Sequence, residues 1–413
     1  MISQRNKNVN PIRNSSGIIS NPVRNKFLSP VRSEISNGIN GANGVKILLT
    51  GGGTGGSVSP LLAVASGLRM SDFGCRTSDV GLWTYEFLWV GTKFGPEREM
   101  VEKTGIKFIA MPAGKLRRYF SLKNFLDPFK IIAGFFKSLF VILRFKPDLI
   151  MTAGAFVSVP IVWAAWILRV PILVHQQDVR PGLANKLMAP FANVITVTFE
   201  ESLKNYGKKA VWTGNACKFP IDDFRLTNDE IFKKFGLNKD LPVVLVVGGG
   251  TGAMEINKLV WESLEELTKF CQIIHVFGKG KGIRNQESGI RNYVSYDFLE
   301  HEKVIEIMKI ADVVVSRAGL GFLTEISYLG KAAIIIPIPD THQEDNARIF
   351  SKNEAAMVLD QKKLTARDFI NKIRGLLKDE TLRHKLSSNV AGVMKKGASE
   401  AMVVIAMKLI NNE

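Results

Sequence analysis

Val45-Lys-Ile-Leu-Leu-Thr-Gly-Gly-Gly-Thr-Gly-Gly56 is an apolar strand that runs straight into a glycine turn, and Pro60-Leu-Leu-Ala-Val-Ala65 then starts a helix. About 200 residues later the pattern returns. Pro242-Val-Val-Leu-Val-Val247 meets Gly248-Gly-Gly-Thr-Gly252, and a helix follows from Ala253 through Leu264. A strand passing through a glycine turn into a helix is the opening unit of a parallel, doubly wound sheet. Further apolar runs follow each unit at strand length: Phe87–Val90, Leu149–Met151, Ile172–Val174 and Val194–Val197, then Ile273–Val276, Tyr293–Ser295, Val313–Val315 and Ala333–Pro337. Alternation of such strands with amphipathic helices predicts an α/β chain of two Rossmann-like domains, their parallel sheets facing a central cleft. The boundaries read as a basic, disordered tail at 1–44, a first domain at 45–218, a linker at 219–240 and a second domain at 241–394. A C-terminal helix at 395–413 is expected to pack back on the first domain.

A glycine turn lets backbone N–H groups approach a ligand, and the following helix N-terminus favours negative charge. Neither turn carries the lysine and hydroxyl of a phosphate loop. Nor does an acid close a second strand at the distance a dinucleotide fingerprint requires. Tight turns for helix–sheet packing remain the competing reading.

The 413 residues include 46% apolar side chains and three cysteines, Cys75, Cys217 and Cys271. That composition suits packed globular domains and excludes collagen, coiled coil and wholesale disorder. Three scattered cysteines make neither a disulfide framework nor a spaced metal site. The formal charge is +17. Six basic residues face one acid in 1–44, and twelve face four in 93–146, whereas the rest of 45–230 is balanced. The excess is therefore local. No nucleic-acid motif accompanies it, so nucleic acid is not expected as a partner.

In the second basic segment Lys130, Lys137 and Arg144 recur every seven residues on a helix expected to begin near Asp127-Pro128. Phe135, Phe136 and Phe140 lie among them. A basic stripe beside an aromatic body suits the surface of an anionic bilayer; a core helix with lysines turned to water is the alternative. The unbroken apolar run Leu139–Leu143 is far short of the roughly 20 residues that span a bilayer.

Several short segments, in order, are specific together. They are Thr50–Pro60, Gly114-Lys-Leu-Arg-Arg118, Gly154-Ala-Phe-Val-Ser-Val-Pro160, His175-Gln-Gln-Asp178 with Pro181–Lys186, and Thr213-Gly-Asn215. The second half adds Val247–Ala253, Ser316-Arg-Ala-Gly319 ending in Thr324-Glu325, and His342-Gln343 with Asn346-Ala347. This series resembles the MurG family over about residues 45–410. The resemblance implies a GT-B fold and an inverting glycosyltransferase moving GlcNAc from UDP-GlcNAc to the undecaprenyl-linked muramyl-pentapeptide, lipid I, in peptidoglycan synthesis. It further implies peripheral attachment to the anionic inner leaflet, at the cytoplasmic face of the cell membrane. Other cell-wall synthesis proteins are possible partners. No cofactor and no metal are expected, since no Asp-x-Asp motif is present.

The resemblance also assigns residues. Glu325 would accept the ribose hydroxyls, a suitable task for a carboxylate. The amides of Leu320, Gly321 and Phe322 would face the diphosphate, with Arg317 orienting their loop. Phe298 and Leu299 would contact uracil, and His342 and Gln343 the sugar. Thr54, Gly55, Gly56, Lys218, Gly250 and Thr251 complete the expected donor set. Gly154, Ser158, Asn185 and Asn215 are expected on the acceptor.

The departures concern chemistry. Ser57 stands where the family has histidine, and a serine is not a base at neutral pH without help. Asp178 replaces an asparagine and Gln176 a glutamate. Ala155 replaces a glycine, Lys218 an arginine, and Gly250-Thr251 a Ser-Gln pair. Ser57 and Asp178 are the catalytic candidates, Asp178 as general base, so Asp178→Asn should lower kcat by orders of magnitude. The alternatives are a GT-B transferase with another lipid acceptor, a nucleotide-sugar epimerase of the same fold, or a binding protein with a decayed site.

Overall fold

The computed structural model describes residues 44–53, 55–74, 84–112, 123–217, 226–248, 253–278, 280 and 289–412, with backbone alone for 70–74 and 123–130. Residues 1–43 of the expected tail, Thr54, Lys218, Gly250, Thr251 and the side chain of Lys130 lie outside the described residues.

Two parallel sheets organise the chain. The first has seven strands: β1 (Val45–Thr50), β2 (Tyr85–Thr92), β3 (Lys107–Met111), β4 (Leu149–Thr152), β5 (Ile172–Gln176), β6 (Val194–Val197) and β7 (Ala210–Trp212). Their order across the sheet is β3-β2-β1-β4-β5-β6-β7. The second has six: β8 (Val243–Val247), β9 (Gln272–Val276), β10 (Tyr293–Tyr296), β11 (Val313–Ser316), β12 (Ala333–Ile335) and β13 (Met357–Val358), in the order β10-β9-β8-β11-β12-β13. Both are Rossmann orders, reversing beside the first strand of the unit.

Alternation along the strands builds two cores per sheet, because successive side chains point to opposite faces. Ile47 and Leu49 of β1 pack with Trp89 beneath helix α1 (Ser59–Gly74), whereas Leu48 joins Leu88 and Ile150 on the other face. In β8, Val243, Leu245 and Val247 face one core, and Val244 and Val246 the other. Each such buried side chain is worth about 1.5–3 kcal/mol. The strands that the apolar runs do not disclose, β3, β7 and β13, are all in edge regions. β3 alternates poorly and is only partly buried, β7 is three residues long, and β13 is two.

The stretch expected to be a linker, 219–240, contains helix α6 (Asn228–Phe235). Thr227 and Glu230 form a reciprocal cap at its start, and Gly236 closes it in a left-handed conformation. Its Ile231 is buried, Lys234 Nζ lies 2.6 Å from Glu306 Oε2, and Phe232 and Phe235 pack on the second-domain core. At the other end, helix α13 (Ala398–Ile410) lies on α1 and inserts Met402, Ala406 and Met407 into the first-domain core. The returning chain passes Gly214, whose φ is +85°, so closely that a Cβ there would stand 2.3 Å from Lys395 O.

Helix α3 (Lys123–Phe145) begins before the expected Asp127-Pro128. Its outer face carries Ile132, Phe136, Phe140 and Leu143, each more than half exposed, with Lys137 and Arg144 beside them. Phe135, expected on that face, is turned inward against the core, because it falls on the side of the helix that packs on helix α4 (Ser158–Ile167). Lys137 Nζ donates to Ala110 O at 2.9 Å. Among the described residues, no helix is long and apolar enough to cross a membrane.

Candidate active site

Doubly wound sheets bind ligands at the carboxyl ends of their strands, where the strand order reverses. In the first domain that point lies between β1 and β4. Thr50 Oγ1 is 3.2 Å from Ser158 Oγ, which donates to Gly154 O at 2.8 Å. Ser158 is fully buried, so its hydroxyl ties the sheet end together rather than facing an acceptor.

The turn after β1 is held from several sides. Trp89 Nε1 donates to Gly51 O at 3.2 Å, and the amides of Val58 and Ser59 reach Gly55 O. Gln177 Nε2 donates to Gly56 O at 2.7 Å. Ser57 Oγ donates to Gly52 O at 3.2 Å and is 7% exposed. Its proton goes to the turn itself, and a hydroxyl is too weak a base to take a proton at neutral pH, so Ser57 serves the turn. Under the turn lies Glu97, fully buried and hydrogen-bonded to Gly53 N.

The end of β5 supplies His175 and Gln176, both buried. His175 Nδ1 is 3.0 Å from Thr196 Oγ1 and Nε2 is 3.1 Å from Asn215 Oδ1. Burial lowers His175 to about 4, so the ring is neutral at pH 7. Its Nε2–H donates to the Asn215 carbonyl, and Nδ1 accepts from Thr196. Asn215 Nδ2 donates onward to Thr324 Oγ1 at 2.8 Å, and Thr324 donates to Leu320 O. One hydrogen-bonded chain thus crosses from the first domain to the second. Asn185, expected on the acceptor, is 6% exposed, and its Nδ2 is engaged by Gln176 Oε1 at 2.6 Å.

Asp178 is also occupied. Its Oδ1 accepts from Asn346 Nδ2 at 2.9 Å and lies 3.9 Å from His342 Nε2. Val179 N donates to Asn346 Oδ1 at 3.1 Å, and Arg180 pairs with Asp345. This loop is therefore latched to the start of helix α10 (His342–Lys352) in the other domain. The latch engages Oδ1 of a side chain that is 33% exposed, so this carboxylate, expected to be a free general base, also has a structural task.

In the second domain, β11 leads through Arg317 into helix α9 (Leu320–Leu329), whose first residues have no side-chain cap and no acid in the first turn. Arg317 is 8% exposed and donates to Ile336 O at 2.9 Å, which orients the loop after β12. Burial lowers its guanidinium from the ordinary value. Glu325 Oε1 lies 3.1 Å from His301 Nε2 at the start of helix α8 (His301–Ile310). Burial pushes the Glu325 carboxyl up to about 8. Phe298 is 55% exposed, and Leu299 packs on the core beneath it. Gln343 Oε1 accepts from Ile338 N at 3.2 Å, so its side-chain oxygen is held by the loop after β12.

One cleft gathers part of this set. Gly56 and Gln177 line it from the first domain, beside Asn215 and Cys217, and Gly321, Thr324, Glu325 and His301 line it from the second. Of the expected residues it brings together Gly56, Asn215, Gly321 and Glu325. Ser57 lies behind its turn, and Asp178 gives way to its neighbour Gln177. Cys217 is pushed up to about 12 by burial and stays a thiol. Sequence reasoning missed Gln177, which stood inside the quoted His175–Asp178 segment. It also missed His301, two residues beyond Leu299, and Glu97. Among the described residues no cluster of His, Cys, Asp and Glu is arranged to hold a metal ion.

Comparison with known proteins agrees with this layout. The glycosyltransferase family 28 N-terminal domain matches residues 47–197, and the family 28 C-terminal domain matches 243–402. The UDP-N-acetylglucosamine--N-acetylmuramyl-(pentapeptide) pyrophosphoryl-undecaprenol N-acetylglucosamine transferase of Clostridium tetani is 36% identical over 372 residues, covering 88% of this chain and 98% of its own. The enzyme of the same name from Clostridium kluyveri is 38% identical over 338 residues, covering 80% and 91%. The crystal structure of Acinetobacter baumannii MurG shares the fold at 21% identity and a TM-score of 0.67, covering 88% of this chain and 99% of that one. A UDP-GlcNAc 2-epimerase from Neisseria meningitidis shares it at 15% identity and 0.63, covering 89% and 100%. With both halves matched by family 28 and relatives more than a third identical along most of its length, the chain belongs to the MurG family of glycosyltransferases.

Proposed function

We propose that the chain performs the reaction for which its clostridial relatives are named, transfer of GlcNAc from UDP-GlcNAc to lipid I. The supporting observation is Glu325, a partly buried carboxyl group opening on a cleft between two Rossmann-like domains, on the helix whose start is uncapped. In this reading the ribose hydroxyls donate to Glu325 and the uracil lies on Phe298. The amides of Leu320, Gly321 and Phe322 meet the diphosphate, where an uncapped helix start favours negative charge. Gln343 and His342 hold sugar hydroxyls, with Asp178 fixing the orientation of His342. Lys218, Gly250 and Thr251 keep their assignment to the donor side, and Asn215 and Gln177 serve the acceptor side. Transfer is a single displacement: the acceptor hydroxyl attacks C1 and releases its proton to water, the bond to UDP breaks, and the helix-terminal amides stabilise the leaving diphosphate.

The exposed face of α3 docks the first domain on an anionic bilayer, its apolar residues entering the interface and Lys137 and Arg144 meeting phosphates. Phe136→Glu with Phe140→Glu, and separately Lys137→Glu with Arg144→Glu, should each abolish co-sedimentation with anionic vesicles. Retention of binding by both pairs would make the face a solvent-exposed accident of packing.

The reaction itself is tested by UDP release from UDP-GlcNAc in detergent. Release that depends on lipid I supports transfer. Turnover of the nucleotide sugar without acceptor would favour epimerase chemistry, and no UDP binding at all would favour a decayed site.

A further inference from the structure

Glu97 is the one acid among the described residues that is completely removed from solvent. It begins the short helix α2 (Glu97–Glu102), immediately after Gly95-Pro96. A buried carboxylate is costly unless its oxygens are hydrogen-bonded. Here they are: Oε1 accepts from Thr92 N at 2.8 Å and from Thr92 Oγ1, and Oε2 accepts from Gly53 N at 3.1 Å. No ion pair reaches Glu97 among the described residues, so backbone and hydroxyl donors alone satisfy it.

The surroundings are shaped to this carboxylate. A Cβ at Gly52 would lie 2.3 Å from its Oε1, and one at Gly95 would lie 1.7 Å from its Oε2. Neither position admits a side chain while Glu97 stays in place. Gly53, between the carboxylate and the cleft turn, has φ +83°, a left-handed conformation that glycine adopts without strain. The N–H of Gly53 is thereby turned down toward Glu97. The remaining links of the turn run upward from that anchor: Ser57 bonds Gly52 O, and Gln177 bonds Gly56 O at the cleft.

We propose that Glu97 is a positioning residue for glycosyl transfer: it pins the first glycine turn to the end of β2 so that Gly56 and Gln177 present a fixed acceptor-side wall to the cleft. The inference rests on the transferase reading for its kinetic consequence, and on geometry alone for its grip on Gly53. The nucleotide contacts proposed above lie on the other domain, and Gly56, expected on the donor side from sequence, stands beside Gln177 instead, so loss of the pin strikes the acceptor step and spares UDP binding. A misplacement of about 1 Å in a catalytic wall is enough to cost about 100-fold in rate.

The test uses the full chain with Glu97→Ala, Glu97→Gln and Gly95→Ala. Glu97→Gln keeps the shape but turns an amide donor toward either Thr92 or Gly53. Gly95→Ala leaves the acid but displaces it. Glu97→Ala should lower kcat by about 100-fold and Glu97→Gln by about tenfold. Both should raise the KM for lipid I while calorimetric UDP affinity stays unchanged, and Gly95→Ala should follow them. A merely structural acid would lower the melting temperature and leave kcat per folded molecule intact, and that result overturns the proposal. Equal loss of UDP binding overturns it too, because the damage would then be global. Should Glu97→Ala fail to fold, Glu97→Gln decides. Hydrogen exchange at the Gly53 amide separates this proposal from the transferase reading. Faster exchange in Glu97→Gln supports the pin even if the wild-type chain transfers nothing to lipid I, and unchanged exchange removes it.

Discussion

Glu97, fully buried, and Glu325, partly buried, both stand at the cleft end of a Rossmann-like domain, and their hydrogen bonding separates them. Glu97 has three protein donors and no exposure. Glu325 has His301 at 3.1 Å, a side chain 15% exposed to the cleft, and a carboxyl raised to about 8 by burial. A carboxylate whose lone pairs are filled by its own protein holds structure. One that is desolvated and left short of donors is prepared for hydroxyls that arrive with a ligand. In the proposed reading the same residue type builds the wall in one domain and the binding site in the other.

The largest expected effect follows from breaking the second half of that contrast. Glu325→Ala should raise the KM for UDP-GlcNAc by about 100-fold, since two ribose hydroxyls donating to the carboxyl favour its charged form and hydrogen bonds to a charged group contribute roughly 1.5–3 kcal/mol each. Steady-state kinetics with varied donor reads it, and a change below about threefold would deny Glu325 the ribose.

Stability should show the opposite sign. The Glu325 carboxyl sits at about 8 in the folded chain, against an ordinary value of 4.5. Between those values the unfolded chain binds fewer protons than the folded one, so stability falls as pH rises from about 4.5 to about 8. Glu325→Gln removes that penalty. Its melting temperature, without ligand, should exceed the wild type at pH 8 and approach it at pH 4.5.

Asn346→Ala tests whether the two domains work as one site. Fully buried Asn346 bridges Val179 N, Asp178 Oδ1 and Ala318 O, so its loss frees the latch between the domains. We expect about a tenfold fall in kcat, with UDP affinity retained in calorimetry. His301→Ala should be milder, raising the KM for UDP-GlcNAc by about threefold, because it removes one partner of Glu325 and no ligand contact assigned above. The smallest effect belongs to Asp178→Asn. An asparagine oxygen still accepts from Asn346, so kcat should stay within about threefold of wild type. A fall by orders of magnitude would restore Asp178 as the general base.

These contrasts also mark what sequence can and cannot disclose. The two strand–turn–helix units were legible at once, because a buried parallel strand is a short apolar run and glycine punctuates it. Glu325 and Asn215 were legible through the motif series. Glu97 was not: Gly95-Pro-Glu97 reads as an ordinary solvated helix start, and its burial depends on Gly52 and Gly53, more than 40 residues earlier in the chain. Ser57 and Asp178 were singled out as departures, but residue type does not reveal that one bonds Gly52 O and the other Asn346. The helical period of α3 identified its basic stripe. It did not settle whether Phe135 or Ile132 faced outward, since both are apolar and the partner helix makes the choice.

Transfer onto lipid I is measured most directly in the lipid product. Detergent-dispersed lipid I incubated with UDP-GlcNAc and the wild-type chain should gain the mass of one N-acetylhexosamine residue, with one UDP released per lipid modified, and Glu325→Ala should suppress both at the same donor concentration. A lipid fraction of unchanged mass, with UDP-GlcNAc consumed or left intact, would contradict it.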